Sequence, residues 1–112
     1  MDRQYTPEEI QKRFRDLHRD RDLLESGWTP KEGDIADAPV IGNWIAVSRS
    51  GELALVGVVT GHPRLRGLRR IVTSPLVAID VEAGWARTEG RFYRLGLQYT
   101  PPTDEPSSKM KF

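Results

Sequence analysis

Residues 43–60, NWIAVSRSGELALVGVVT, read as two strands joined by a tight turn, and this stretch decides the fold class. Trp44, Ile45, Ala46 and Val47 form one β-rich run and residues 53–59 another, on either side of Ser50-Gly51. β-Branched and aromatic side chains pack well on a pleated surface, and a small residue followed by glycine suits a two-residue hairpin turn. The hairpin lies in the middle of a 112-residue chain, a length that fits one domain, since domains commonly run to about 100–150 residues.

Downstream, the loop 61–67 (GHPRLRG) leads into further extended runs. Ile71-Val72-Thr73 and residues 76–81 read as one strand bent or broken at Ser74-Pro75, because proline cannot donate to a central ladder. Glu82-Ala83-Gly84 turns the chain into a run at 85–88, and Glu89-Gly90 turns it again into a run at 91–95. Four or five short antiparallel strands joined by short turns make a meander. Curling it, as far as an SH3-like barrel, would bury Trp44, Trp85 and Phe92 together.

Upstream, residues 28–42 carry two Pro and two Gly and read as an extended connection with one short turn around residues 34–38. Residues 6–26 read as a helix. Thr6 suits the N-cap, Pro7 the first helical position, and Glu9 stands three residues after Thr6 to close a capping box. Ile10, Phe14, Leu17 and Leu24 fall on one stripe that Arg21 interrupts, so the first three turns are expected to pack on the sheet. Glu8–Lys12 and Glu9–Arg13 are spaced as (i, i+4) ion pairs, and Gly27 suits the position after the helix. The expected architecture is α+β: one domain over residues 1–99, with helix 6–26, connection 28–42 and meander 43–99. Residues 100–112, with three Pro and two Ser, are expected to form a disordered tail.

Composition removes several function classes. With no Cys, disulfides, thiolate metal sites and a cysteine nucleophile are excluded. Two histidines, His18 and His62, are too few for a histidine-only zinc site. The N-terminus lacks an apolar signal-peptide core and no stretch approaches 18 apolar residues, so a cytoplasmic location is expected, with no membrane partner. Ser48, Ser50 or Ser74 could be combined on paper with His62 and Asp80, but no G-x-S-x-G elbow frames any of these serines. The loop 61–67 lacks the Gly-Lys-Ser/Thr ending of a phosphate loop. No catalytic, cofactor-binding or metal-binding residue is therefore assigned, and the chain is not expected to be an enzyme.

Charge is the sharper signal. Net charge is +1, yet residues 1–39 sum to −3 and residues 40–100 to +4, with every cation of the second segment an arginine. Arg64, Arg66, Arg69 and Arg70 follow His62 closely, and a guanidinium fork suits phosphate or carboxylate. Trp85 and Arg87, then Arg91, Tyr93 and Arg94, make a second mixture of aromatics and arginine, of the composition found in protein-binding hot spots. A pI near 8.1 and aromatics that do not interleave with the arginine cluster weaken the case for a dedicated nucleic-acid binder. The expected function is a non-catalytic protein-binding or regulatory module. The alternative is a nucleic-acid-associated accessory protein holding phosphates through the arginine cluster.

Ala38-Pro39, Asn43-Trp44, Gly61-His62-Pro63, Ile71-Val72-Thr73-Ser74, and above all GWART (84–88) and RFYRLG (91–96), resemble a family of small alphaproteobacterial proteins known only as a domain of unknown function. The resemblance spans residues 6–96 and implies a small bacterial protein, cytoplasmic or associated with a mobile element. It brings no activity, cofactor or site residue with it.

Overall fold

In the computed structural model, which describes residues 5–101, the expected helix runs over Pro7–Glu25 (α1). Its capping box is closed. Thr6 Oγ1 accepts from the Glu9 N–H at 3.1 Å, and Glu9 Oε1 accepts from the Thr6 N–H at 2.8 Å. Gly27 takes a φ of 100°, which a residue with a Cβ resists, and this lets the Trp28 N–H reach back to the Leu23 carbonyl at 3.0 Å. The expected turn in the connection is a single 3₁₀ turn at Glu32–Ile35.

Six strands follow: β1 (Val40–Arg49), β2 (Glu52–Thr60), β3 (Arg69–Val72), β4 (Leu76–Asp80), β5 (Trp85–Thr88) and β6 (Phe92–Leu95). The β1–β2 hairpin turns at Ser50 (φ 52°) and Gly51 (φ 83°), two consecutive positive φ values of the kind that match the twist of a two-residue hairpin. The sheet order is β3-β2-β1-β6-β5-β4.

Three expectations are corrected here. First, the sheet is mixed rather than wholly antiparallel, because β6 runs parallel to β1, with Val40 opposite Arg94 and Ile41 opposite Leu95. Backbone groups on the second edge of β1 need partners, and the returning chain supplies them. The Gly96 N–H donates to the Ile41 carbonyl and the Tyr99 N–H to the Trp44 carbonyl, both at 2.8 Å.

Second, residues 71–73 and 76–81 are not one bent strand. β3 pairs with β2 and β4 with β5, at opposite edges of the sheet, and the chain crosses between them at Thr73, Ser74 and Pro75. Thr73 anchors the crossing. Its Oγ1 accepts from the Leu55 N–H at 2.9 Å and donates to the Ser74 carbonyl at 2.8 Å. Since β3 and β4 do not pair, the curled sheet stays open and no SH3-like barrel closes.

Third, the tryptophans occupy two cores. Side chains alternate across a strand, so Ala86 and Tyr93 face one side while Trp85, Arg87 and Phe92 face the other. The inner side holds Ile41, Trp44, Leu55, Val59, Ala86 and Tyr93. Trp44 reaches it through a bulge. Asn43 and Trp44 stand opposite the single residue Gly57, Asn43 adopts a φ of 49°, and the indole Nε1–H donates to the Gly96 carbonyl at 3.1 Å. On the outer side Phe92 lies edge-on between Trp85 (5.9 Å between centroids) and Trp28 (6.4 Å).

Helix α1 packs on that outer side by its second half, contrary to the expectation for its first three turns. Leu17 and Asp20 are buried, whereas Ile10 and Phe14 are 43% and 58% exposed. A charge decides this. Arg87 is buried on β5, and its Nε lies 3.0 Å from Asp20 Oδ2. A buried guanidinium holds its helix partner close, whereas the apolar stripe has no comparable anchor. The expected helix pairs are also replaced: Lys12 pairs with Asp16 at 2.7 Å and Glu9 with Arg64 at 3.0 Å. The tail expected to be disordered lies, beyond residue 101, outside the described residues. Among the described residues, no helix is long and apolar enough to cross a membrane.

Candidate functional site

Three elements meet around the opening beside β3: the first half of α1, the β2–β3 loop, and the β5–β6 turn. They enclose a cleft of about 580 Å³. Each contributes a guanidinium group, from Arg13, Arg64 and Arg91, and Arg69 on β3 adds a fourth. Leu65, Ile71 and the Tyr93 ring make its apolar wall, and no Asp or Glu among the described residues lines it.

The guanidinium groups are positioned by local structure. Arg13 and Arg64 stack on the Tyr5 ring, at 4.7 and 4.3 Å from its centroid. Arg13 also rests against Gly90, where a Cβ would come within 2.7 Å of its Nη2. Gly90 itself is held by its N–H, which donates to Ser74 Oγ and Thr88 Oγ1, both at 3.1 Å. Arg64 pairs with Glu9. Among the described residues, no carboxylate stands within 4 Å of Arg13, Arg69 or Arg91 in an ion pair.

His62 sits among these cations. Burial, and then the charges of Arg91, Arg13 and Arg64, push its imidazole down to about 4, so it is neutral near pH 7. Its Nδ1 accepts from the Arg64 N–H at 3.0 Å, which leaves the single ring proton on Nε2. Burial also lowers the Arg91 guanidinium, helped by Arg13, and raises the Tyr93 phenol. Converging cations, partly stripped of water and lacking enough carboxylates, make a place where an anion is favoured.

The candidate residues named from sequence divide cleanly. His62, Arg64, Arg69, Arg91 and Tyr93 come together in the cleft. Arg66 and Arg70 are exposed and do not line it. Trp85 and Arg87 are buried at 4% and 1% exposure on the other side of the sheet, and so are withdrawn from any surface hot spot. Arg94 is tied down there too, its Nε donating to the Ala38 carbonyl at 2.8 Å. Asp80 serves its own turn, its Oδ1 accepting from the Ala83 N–H at 3.1 Å. Sequence alone missed Arg13 and Tyr5. Arg13 stands one turn after Ile10 and one turn before the buried Leu17, but its spacing from Glu9 suggested a surface pair.

Among the described residues, no group of three or more His, Asp or Glu is placed to hold a metal ion. Fold and cleft together define a small α+β domain, an open mixed sheet covered by one helix, with an arginine-lined opening at one edge. The chain belongs to a family of unknown function, DUF6634, whose model matches residues 10–108. No curated protein and no solved structure gives a significant match.

Proposed function

We propose that this domain is a non-catalytic binding module that captures an anionic segment of a protein partner in the arginine-lined cleft. One observation carries this: guanidinium groups from three separate elements converge on a concave, partly apolar space with no lining carboxylate among the described residues. A concave site of this size suits a side chain or short segment, being within the range of about 300–1,000 Å³ typical of ligand pockets. A duplex backbone would instead call for a basic patch or stripe on a more strongly basic domain than one with a pI near 8.1.

The test is a titration with a labelled glutamate-rich peptide and, separately, with labelled DNA and RNA at about 0.15 M salt. The peptide should bind, weaken with added salt, and lose affinity in Arg13→Gln and Arg91→Gln variants. Nucleic acid should stay in the non-specific range of roughly 10⁻⁴–10⁻⁶ M. Sub-micromolar nucleic-acid binding that disappears when Arg64, Arg66, Arg69 and Arg70 become Ala would overturn the proposal in favour of the phosphate-backbone alternative.

A further inference from the structure

Deepening the reading above, and resting on it, we propose that the anion this cleft takes is a phosphate monoester dianion, carried on an apolar or aromatic body. Arg13 and Arg91 would flank the phosphate, with the His62 Nε2–H as a neutral donor.

The charge count supports a dianion. Arg64 already faces Glu9 at 3.0 Å and Arg69 is exposed to water, whereas the half-buried Arg13 and Arg91 have no carboxylate ion-pair partner among the described residues. A single carboxylate would match one of these two guanidinium groups and leave the other partly buried and unmatched. A phosphate monoester carries about −1.5 to −2 charges at pH 7 and three acceptor oxygens, enough for both. The wall of Leu65, Ile71 and the Tyr93 ring then offers an apolar surface beside the charge, which inorganic phosphate would leave empty. His62 contributes direction rather than charge. The Arg64 N–H occupies Nδ1, so the ring can offer its Nε2–H without gaining a proton. The groups facing it are Arg13 from α1, Arg64 from its own loop, Arg91 from the β5–β6 turn, and the Tyr93 ring, whose centroid lies 6.4 Å from its own.

This arrangement has a distinctive pH signature. A site relying on charged histidine loses anion affinity as pH rises past about 6.5. In the free cleft the histidine is already neutral through that range, and the ligand titrates instead, with a second phosphate pKa of about 6. Affinity should therefore rise about tenfold between pH 5 and 7.5. A carboxylate or a phosphodiester, already fully charged at pH 5.5, should show a flat profile from there upward.

The experiment is calorimetric titration of the full chain with phenyl phosphate, phenylacetate and methyl phenyl phosphate across pH 5.5–7.5, alongside a phosphotyrosine peptide and the glutamate-rich peptide. The expected result is phenyl phosphate binding that strengthens severalfold over that range and exceeds the other two small probes at least tenfold at pH 7.5. Arg13→Gln and Arg91→Gln should each weaken it at least tenfold while the melting temperature holds. The parent's pH profile needs no variant, so it decides the matter even if a variant fails to fold. A phosphotyrosine peptide binding more tightly than phenyl phosphate places the monoester on a protein, and equal affinity places it on a small molecule; both results support the dianion. A flat profile, or phenylacetate matching phenyl phosphate, overturns this inference. Glutamate-rich peptide binding that persists in that case leaves the proposed function standing, and failure of every anion removes both.

Discussion

Substituting Asp20 by Asn should destabilise the domain by about 3–5 kcal/mol, the usual cost of leaving one member of a buried ion pair without its partner. Arg87 is 1% exposed and Asp20 6%, so water cannot replace the lost carboxylate. The guanidinium keeps two other contacts. Its Nη1 donates to the Thr88 carbonyl at 2.8 Å, and its Cζ lies 5.3 Å from the Phe92 ring centroid. Its Nε lies 3.0 Å from Asp20 Oδ2, and charge attraction across that distance joins the pair. Arg19 also reaches Asp20, Nε to Oδ1 at 3.2 Å, but is exposed and adds little. Burial pulls the Arg87 guanidinium down and Asp20 holds it up, so losing the carboxylate leaves that burial offset only by the more distant Asp16 and the Thr88 carbonyl. Against a total stability of about 5–15 kcal/mol, this predicts a melting temperature lower by about 12–20 °C, at about 4 °C per kcal/mol. Urea denaturation followed by tryptophan fluorescence, with Trp28 and Trp85 both against the Phe92 ring that Arg87 also meets, gives the free energy directly. Asp20→Leu combined with Arg87→Met should recover most of the loss, since apolar replacement of both partners is often neutral. An Asp20→Asn protein melting within about 2 °C of the parent would refute the claim that this pair fastens the helix to the sheet.

Gly57→Ala should cost about 1–3 kcal/mol by overpacking, because its Cβ would come within 2.7 Å of Ile41 Cγ1 and 2.8 Å of the Gly42 carbonyl oxygen; an unchanged urea midpoint would argue against so close a β1–β2 approach. Thr73→Val should cost about 1–3 kcal/mol, since the Leu55 N–H would lose its hydroxyl acceptor in a buried site, and hydrogen exchange at Leu55 should speed up. His62 has a folded pKa of about 4, below its ordinary 6.5, so the unfolded chain takes up the proton first. Its contribution is thus full above about pH 6.5 and is lost as pH falls toward 4. With allowance for partial exposure, the parent should lose about 1–2 kcal/mol more than His62→Asn between pH 7 and 4.5, and equal losses in thermal melts would show that the imidazole is not held neutral.

Local chemistry made much of this protein readable from its sequence. The Thr6–Glu9 capping box, Pro7, the Ser50-Gly51 turn and the β-rich runs act within a few residues of one another, so their structures follow from sequence neighbours. The grouping of His62, Arg64 and Arg69 was visible for the same reason, since one loop and the strand it enters carry them. Contacts between distant residues were decided by tertiary structure. The β1–β6 parallel pairing joins residues more than fifty positions apart, and no local periodicity encodes which edge a strand will meet. Whether Ile10 or Asp20 faces the sheet depended on a buried arginine at position 87, an attraction that the apolar stripe of α1 does not reveal. The alternation of β5 and β6 sent Trp85, Arg87 and Arg94 to one side and Tyr93 to the other, splitting a sequence cluster that looked like one surface. Arg13 reached the cleft because the helix crosses above Gly90, a meeting of residues 77 positions apart that only the folded chain brings about.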